Sequence, residues 1–214
     1  MFISIQILIK RKKEERFSKK VFTNEQSSFI STPEYVAEHV VDTILGLGDF
    51  RSAVELCSCV GSTCIQLGRH LDKVVGIEID EDRVVMARKN AILYGVDNVQ
   101  FIRGDVLDIK LLKSINADIA FLDPGWSTRL MDRSSHVSDI DSTNPSLRKM
   151  FDLTKRHITE NIIARIPATF NFGTLKELGK CRLENIIINN ELVFKFAYFI
   201  GEYKRCEEED VVFE

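Results

Sequence analysis

The sequence carries its sharpest chemical signal at Asp123-Pro124-Gly125-Trp126, directly after the short apolar run Ile119–Leu122. A carboxylate, a rigid proline turn and an aromatic ring stand together there. The carboxylate and nearby carbonyl groups can orient the N–H bonds of an exocyclic amine, while the indole ring stacks on a planar base. We therefore expect transfer of a methyl group to a base amine, with Asp123, Pro124 and Trp126 as the catalytic and substrate-binding residues.

Trp126 is the only tryptophan in the sequence. A lone tryptophan is more often a core residue. Here it follows an Asp-Pro-Gly turn, which favours a position at the edge of the molecule. An indole face attracts positive charge, so a cationic base such as 7-methylguanine would be held more strongly than a neutral one.

A second segment, Glu55-Leu-Cys-Ser-Cys-Val-Gly-Ser-Thr63, is typical of a cofactor loop. Small residues such as Cys59 and Gly61 let the backbone approach a ligand. The helix that begins near Thr63 points its free N–H groups and positive dipole end at that ligand. The carboxylate of S-adenosylmethionine (SAM) would bind there. The same residues also fit an ordinary tight turn, so this loop alone does not separate the two interpretations.

Acidic residues also follow the next two predicted strands. Glu78 can accept hydrogen bonds from both ribose hydroxyls of an adenosine cofactor, a feature that NAD and SAM share. Asp80 is the better candidate for the N-cap of the following helix. Asp105 can accept from an adenine amino group or cap the helix that begins near Leu107, and the sequence leaves both roles open.

These residues need a scaffold in which strands and helices alternate. Short β-branched runs predict strands at Ala53–Leu56, Val74–Ile79, Val99–Ile102, Ile119–Leu122 and Ile162–Ile166. Helical spacing predicts helices at Glu34–Leu45, Thr63–Leu71, Asp82–Tyr94, Leu107–Lys113 and Leu147–Ile158. The alternation predicts an α/β fold with a parallel sheet covered on both faces. Ligands bind such sheets beyond the carboxyl ends of the strands, where the acidic residues stand.

The end of the chain predicts a β-hairpin, Leu183–Ile188 and Leu192–Ile200, joined by Asn189-Asn190. Asparagine tolerates the left-handed conformation that such a tight turn requires. Five parallel strands followed by a hairpin is the order expected of a Rossmann-like class I methyltransferase. Near the first helix, Thr32 is expected as N-cap, with Pro33 at the first helical position.

Composition sets the outer limits. With 44% hydrophobic and 29% charged residues, the 214-residue chain is neither disordered nor collagen-like. A net charge of −3 argues against a general polyanion-binding protein. The charge is uneven, however: Lys10–Lys20 is strongly basic, and residues 207–210 are all acidic. The basic segment could add phosphate affinity, direct import or be a solvated tail. We expect residues 1–30 to be an N-terminal extension and 31–214 the methyltransferase domain.

Five cysteines, at positions 57, 59, 64, 181 and 206, form no CxxC pair. Their odd count and spacing predict neither a disulfide framework nor a metal site, and indicate a reducing intracellular compartment. The apolar segment Met1–Ile9 is too short for a membrane span and lacks the charge order of a signal peptide. Neither a metal nor a membrane partner is therefore expected.

Taken together and in order, the motifs resemble the RNA cap guanine-N2 methyltransferases, the trimethylguanosine synthase family. The matching blocks are Ser31–His39, Glu55–Gln66, Val74–Asp80, Ala87–Ala91, Tyr94–Val96, Phe101–Asp105, Phe121–Trp126, Ile158–Ile162, Pro167 and Ala197–Phe199. The resemblance implies a class I fold, SAM as donor and methyl transfer to N2 of a 7-methylguanosine cap, giving di- or trimethylguanosine. It further implies capped RNA of small nuclear or nucleolar type as partner, and a nuclear or cytoplasmic location.

The resemblance also assigns roles. Trp126 matches the tryptophan that stacks on the cap base, and Asp123 stands where family members have Ser or Asp, beside the target amine. Glu55 and Glu78 match acids that contact SAM. Thr32 belongs to a helix-start motif that lines the pocket.

The chain departs from the family pattern in the cofactor loop, usually Asp-x-x-x-Gly-x-Gly-Gly. Glu55, Cys59, Gly61 and Ser62 stand at the four named positions. A non-glycine residue in a left-handed conformation costs about 1 kcal/mol. The usual Pro-Pro-Trp is Pro124-Gly125-Trp126, and a Gly-Gly that often follows it is Ser-Thr. Cys59 and Ser62 motivate one alternative, a catalytically decayed cap- or RNA-binding relative. The Asp123 turn permits a second, another amino-methyltransferase that acts on ribosomal or transfer RNA or on a protein.

Overall fold

The computed structural model describes residues 5–9, 16–126, 137, 139–201 and 206–213, with the backbone alone for residues 5–9. Most of the predicted basic segment, residues 10–15, lies outside the described residues, as do Ser127 and Thr128.

The described chain forms one nine-stranded sheet flanked by helices. The strands are β1 Ile5–Ile9, β2 Ser52–Leu56, β3 Lys73–Glu78, β4 Val99–Arg103, β5 Ile119–Leu122, β6 Ile162–Pro167, β7 Arg182–Ile188, β8 Glu191–Phe199 and β9 Glu207–Phe213. The helices are α1 Glu25–Ile30, α2 Glu34–Leu47, α3 Ser62–Gly68, α4 Glu81–Tyr94, α5 Ile109–Lys113, α6 Leu147–His157 and α7 Phe172–Leu175. The order across the sheet is β1-β9-β7-β8-β6-β5-β2-β3-β4.

The predicted α/β fold is confirmed. Strands β2 to β6 pair in parallel in the order β4-β3-β2-β5-β6. Nearly all side chains of β2, β3, β5 and β6 are buried, as their apolar sequences require. The edge strand β4 is fully buried only at Phe101. The strand order reverses beside β2, where a ligand crevice is expected in an open α/β sheet. The Glu55 loop and the Asp123 turn both leave the sheet at this point.

The predicted hairpin is confirmed as β7 and β8, which pair antiparallel. Asn189 and Asn190 adopt positive φ values of 53° and 63°, the left-handed conformation that a two-residue hairpin of this kind needs. Because β8 runs antiparallel to β6, the hairpin turn lies at the carboxyl end of the sheet.

The two outermost strands on one side of the sheet, β9 and β1, were not predicted. β9 pairs in parallel with β7, and β1 pairs in parallel with β9. The acidic residues of β9 are neutralised in part by basic side chains of the hairpin: Lys195 Nζ lies 3.1 Å from Glu208 Oε1, and Arg182 pairs with Glu209. The boundary between a 1–30 extension and a 31–214 domain stays a prediction, although β1 shares the sheet with the rest.

One of the predicted helix caps is confirmed and one is wrong. Asp80 caps α4, since its carboxylate accepts from the Arg83 amide. Thr32 was expected to cap α2, but Pro33 occupies the cap position without a side-chain bond. The Thr32 hydroxyl instead accepts a hydrogen bond from the distant Arg165. None of the helices in the described ranges is long and apolar enough to cross a membrane.

Candidate active site

Four acidic residues converge at the carboxyl ends of the central strands. Glu55 lies in β2, Glu78 ends β3, and Asp105 and Asp123 follow β4 and β5. All four raise the pKa of the Cys57 thiol, after burial, which is the largest cause. Cys57 therefore lies near all four carboxyl groups, which together form the negative edge of the sheet.

Glu55 is a buried acid with few donors. Its side chain is 2% exposed, and Oε2 accepts from the Cys64 amide at 2.9 Å. Burial raises its pKa to about 8, the negative Asp123 adds to the rise, and the bonds from Cys64 and Thr63 oppose it. The Thr63 side chain thus faces Glu55 from the first turn of α3. A cation placed near Glu55 would favour its ionised form.

The loop between β2 and α3 keeps a left-handed backbone where glycine is missing. Cys57 and Cys59 have φ values of 69° and 49°, and Gly61 has 87°. A Cβ on Gly61 would lie 2.7 Å from the Phe101 ring, so packing also requires glycine there. The Ser62 hydroxyl donates to the Thr32 carbonyl at 2.7 Å. The substituted loop is therefore bonded through Ser62 to the segment that precedes α2.

Glu78 is held at the end of β3 by backbone donors. Oε2 accepts from the Cys59 amide at 2.9 Å, and Oε1 from the Asp80 amide at 3.1 Å. Arg83 Nη1 lies 3.8 Å from Oε1. A carboxylate offers about four acceptor positions, so ribose hydroxyls can still donate to it. The next residue, Ile79, was predicted to end the strand, but it lies just beyond β3. Its side chain is 66% exposed and offers an apolar surface.

Asp105 does not cap a helix. It accepts from the Leu107 amide at 2.8 Å in the turn after β4, while Asp108 caps α5. Asp105 itself is exposed at the negative edge. Of the two roles left open, capping is excluded by this geometry, and adenine recognition stays a prediction.

Asp123 and Trp126 are joined through Arg165 of β6, which the sequence reasoning missed. Arg165 Nη1 donates to Asp123 Oδ2 at 2.8 Å, and its guanidinium carbon lies 4.7 Å from the centre of the Trp126 ring. Burial raises the pKa of Asp123 to about 6, Arg165 opposes this, and Glu78 adds to it. A charged residue within the apolar strand Ile162–Pro167 was the signal that could have revealed the contact.

The turn that carries Trp126 explains one departure from the family pattern. Gly125 pairs with Asn144 through two backbone bonds, of 2.8 and 2.7 Å. A second proline in place of Gly125 would lack the N–H group that donates to the Asn144 carbonyl. A Cβ would also lie 3.2 Å from that carbonyl oxygen. Pro124 and Gly125 thus project the half-buried Trp126 from the end of β5.

The residues at this edge fit SAM by charge and by hydrogen bonding. SAM carries a sulfonium and an ammonium group, which match the negative edge around Cys57. Ser58, in the same loop, has a buried hydroxyl without a partner among the described residues. Such an orphaned group can bind a polar ligand. In the described ranges, no cluster of three or more His, Cys, Asp or Glu side chains could hold a metal ion.

Comparison with solved structures identifies the fold. The chain is similar to a SAM-dependent methyltransferase from Agrobacterium tumefaciens, with a TM-score of 0.63, 14% identity, and coverage of 81% of this chain and 64% of that one. The predicted class I SAM-dependent architecture is thereby confirmed at the level of the fold.

Comparison of sequences finds RNA methyltransferases. The chain is 25% identical to the trimethylguanosine synthase of Schizosaccharomyces pombe over 180 residues, 81% of this chain and 74% of the relative. It is 30% identical to the tRNA (uracil(54)-C(5))-methyltransferase of Pyrococcus furiosus over 142 residues, 64% of this chain but 34% of that protein. The chain thus spans about a third of the archaeal relative.

A family model described as RNA cap guanine-N2 methyltransferase matches residues 50–202, more than half of the chain. The matched range contains the loop from Glu55, the acid Glu78 and the turn from Asp123 to Trp126. The resemblance drawn from the sequence motifs is confirmed. The chain belongs to the RNA cap guanine-N2 methyltransferase family.

Proposed function

We propose that this protein transfers a methyl group from SAM to N2 of the 7-methylguanosine cap of RNA, producing di- or trimethylguanosine. The observation that carries the proposal is the junction of Asp123 and Trp126 at the end of β5, beside the negative edge formed by Glu55, Glu78 and Asp105. The family assignment supports the same reaction.

The cofactor half of the site would be built from strand ends. Glu78 would bind the ribose, Ile79 and Asp105 the adenine, and the Cys59–Thr63 part of the loop the methionine end. Thr32 closes the loop from the α2 side, since its carbonyl accepts from Ser62. When bound, SAM supplies an electrophilic methyl group. Glu55 and Asp123, both buried, would stabilise the positive charges next to that group.

The substrate half would consist of Trp126 and Asp123. The indole ring stacks on the guanine, and the positive charge of a 7-methylated base strengthens the contact. Asp123 accepts a hydrogen bond from the N2 amine and turns the nitrogen lone pair toward the methyl group. The methylated nitrogen becomes acidic, and a carboxylate whose pKa is about 6 can take its proton.

The proposed RNA is of small nuclear or nucleolar type, and the proposed compartment is nuclear or cytoplasmic. Both follow from the family resemblance. The segment Lys10–Lys20 would add salt-sensitive affinity for the RNA backbone or direct import.

The test is methyl transfer from labelled SAM to 7-methylguanosine-capped RNA and to the same RNA without a cap. We expect transfer to the capped RNA, and a loss of cap binding in Trp126→Ala. Ile92→Ala, at an exposed site on α4, serves as the matched control and should behave as wild type. Equal transfer to both RNAs would favour another amino-methyltransferase instead. No transfer, with unchanged cap binding by Trp126→Ala, would reject the proposal.

The left-handed Cys57 and Cys59 favour one second candidate, a cap-binding relative with a decayed cofactor loop. Calorimetry with SAM separates the two. Heat of binding and a thermal shift support the enzyme. Intact cap binding without either supports the decayed relative.

A further inference from the structure

Arg165 is a buried cation in a strand that is otherwise apolar. Its residue is 7% exposed, and its neighbours in β6 are fully buried aliphatic side chains. Removing a guanidinium from water is costly, and replacing a buried ion pair with apolar side chains often stabilises a protein. Stability alone is therefore a weak reason for an arginine at this position.

Three of the residues that Arg165 contacts, Thr32, Asp123 and Trp126, belong to the proposed site. Nη1 donates to the Thr32 hydroxyl at 2.7 Å and to Asp123 Oδ2 at 2.8 Å. Nη2 donates to the Ile30 carbonyl at 2.9 Å. The guanidinium carbon lies 4.7 Å from the centre of the Trp126 ring and 4.8 Å from that of Phe194. One side chain thus joins β5, β8 and the segment between α1 and α2.

We infer that Arg165 is a positioning residue for methyl transfer, because its guanidinium joins the Asp123 carboxylate, the Trp126 ring and the Thr32 hydroxyl into one rigid unit. This inference rests on the proposed function. Arg165 acts through these neighbours and does not itself take part in the reaction.

The geometry indicates how this unit presents the two reacting-site side chains. The bond to Asp123 Oδ2 leaves Oδ1 to accept from the substrate amine. The guanidinium lies over the indole ring, and the ring of Phe194 packs beside it, so the base would stack on the part of the indole that these two side chains do not contact. A planar guanidinium can make both contacts at once, since it donates hydrogen bonds in its plane and stacks on an aromatic ring through its face. The ammonium group of lysine has the same charge but no planar face that could stack on Trp126.

Arg165 also influences the charge of Asp123. The groups that face Asp123 are Arg165 from β6, Glu78 from β3, and Glu55 and Cys57 from β2 and its loop. Arg165 is the one cation among them, and it lowers the pKa of Asp123 against the effects of burial and of Glu78. Without Arg165, the carboxyl would hold its proton to a higher pH.

Trp126 allows a test that does not depend on activity. Because it is the only tryptophan, fluorescence excited at wavelengths that the four tyrosines do not absorb reports on its surroundings alone. We expect a change in wild-type fluorescence with a midpoint near pH 6, as Asp123 titrates beside Arg165. In Arg165→Met the midpoint should move upward by about one pH unit or more. Asp123→Asn should abolish the transition.

Kinetic measurements complete the test. In Arg165→Met, kcat should fall about tenfold or more, with the acid limb of its pH profile shifted upward and the KM for SAM nearly unchanged. Arg165→Lys should restore the pH midpoint but not the full kcat. It also keeps the test usable if Arg165→Met does not fold.

Lys195→Met is the matched control. Lys195 is equally buried, at 7% exposed, and lies on the neighbouring strand β8, where it bonds to Glu208 away from Trp126. Wild-type midpoints in Arg165→Met, or equal changes in Lys195→Met, would overturn the inference. Absence of methyl transfer by the wild type would reject the proposed function, while the fluorescence titration would still decide whether Arg165 couples Asp123 to Trp126.

Discussion

Two groups of buried carboxylates lie on the same sheet, and they differ in how well they are satisfied. The Glu184 cluster, on β7 beneath α2, consists of Glu184, His39, Arg182 and Tyr198. Glu184 is fully buried, and its oxygens lie 2.6 Å from the Tyr198 hydroxyl, 2.9 Å from Arg182 Nη2 and 3.0 Å from His39 Nε2. Burial raises its pKa, but these bonds and charges outweigh that effect and lower it.

Two acids of the proposed active site, Glu55 and Asp123, show the opposite balance. Burial dominates for Glu55 and Asp123, and their pKa values rise to about 8 and about 6. A buried carboxylate surrounded by donors has its hydrogen-bonding capacity filled by the protein itself, as a structural group requires. One that keeps a raised pKa has unused capacity for a cation or a proton, which a catalytic site needs.

The largest expected effect is on activity at Asp123. Asp123→Asn preserves size but can neither take a proton nor present two acceptor oxygens. We expect kcat for cap methylation to fall about 1,000-fold, with unchanged far-UV circular dichroism. Activity within tenfold of wild type would show that a raised pKa at this edge has no catalytic meaning.

At the Glu184 cluster the effect should fall on stability. Glu184→Ala leaves the buried Tyr198 hydroxyl without its acceptor and removes one of the two carboxylates that pair with Arg182, so the free energy of unfolding should drop by about 3 kcal/mol. Urea denaturation measures this change. Glu191→Ala, on the exposed start of β8, is the control and should stay within about 0.5 kcal/mol of wild type. If folded Glu184→Ala lost as much kcat as Asp123→Asn, the Glu184 cluster would also serve catalysis, and the distinction between a structural and a catalytic group of acids would be wrong.

The third effect is a pH dependence set by Glu55. Its folded pKa, about 8, exceeds the ordinary value of 4.5, so the folded state binds the proton more tightly than the unfolded state. Stability is therefore lost as the pH rises from about 4.5 to 8. Glu55→Gln cannot ionise, and its stability relative to wild type should grow by about 3 kcal/mol between pH 5 and pH 8. Thermal melts across this range measure the difference, and a constant difference would contradict the expected titration.

The smallest effect concerns the left-handed Cys59. Cys59→Gly should stabilise the protein by about 1 kcal/mol, because glycine adopts the φ of 49° without steric cost. Gly61→Ala is the paired variant and should destabilise it, since its Cβ would meet the Phe101 ring. Denaturation curves of both variants measure the two signs. Equal signs would show that the loop relaxes freely and stores no strain.

The sequence predicted those features that depend on neighbouring residues. The five parallel strands followed from continuous apolar runs, and the hairpin from Asn189-Asn190. Asp80 was identified as a cap because its partner, the Arg83 amide, is three residues away. The convergence of the acidic residues at one edge was predicted because ligands bind a parallel sheet beyond the carboxyl ends of its strands.

Features that depend on distant partners were not predictable in the same way. Thr32 has the residue type of a cap, yet its hydroxyl bonds to Arg165, which is far away in sequence. Glu184 and His39 meet only when β7 lies beneath α2. The acidic residues 207–210 were not predicted to form a strand, yet they belong to β9, where Arg182 pairs with Glu209 and Lys195 with Glu208. A single sequence does not reveal such pairings.

The parallel pairing of β1 with β9 affects the order in which the molecule is assembled. Ile5 lies opposite Glu209, so the strand of this sheet that is synthesised first must wait for the strand that is synthesised last. Contacts between such distant segments form slowly. During that delay β7 presents an open edge, which is a template for pairing with other chains. Chaperone dependence and proteolytic sensitivity of the nascent chain should therefore concentrate at this side of the sheet, away from the catalytic crevice.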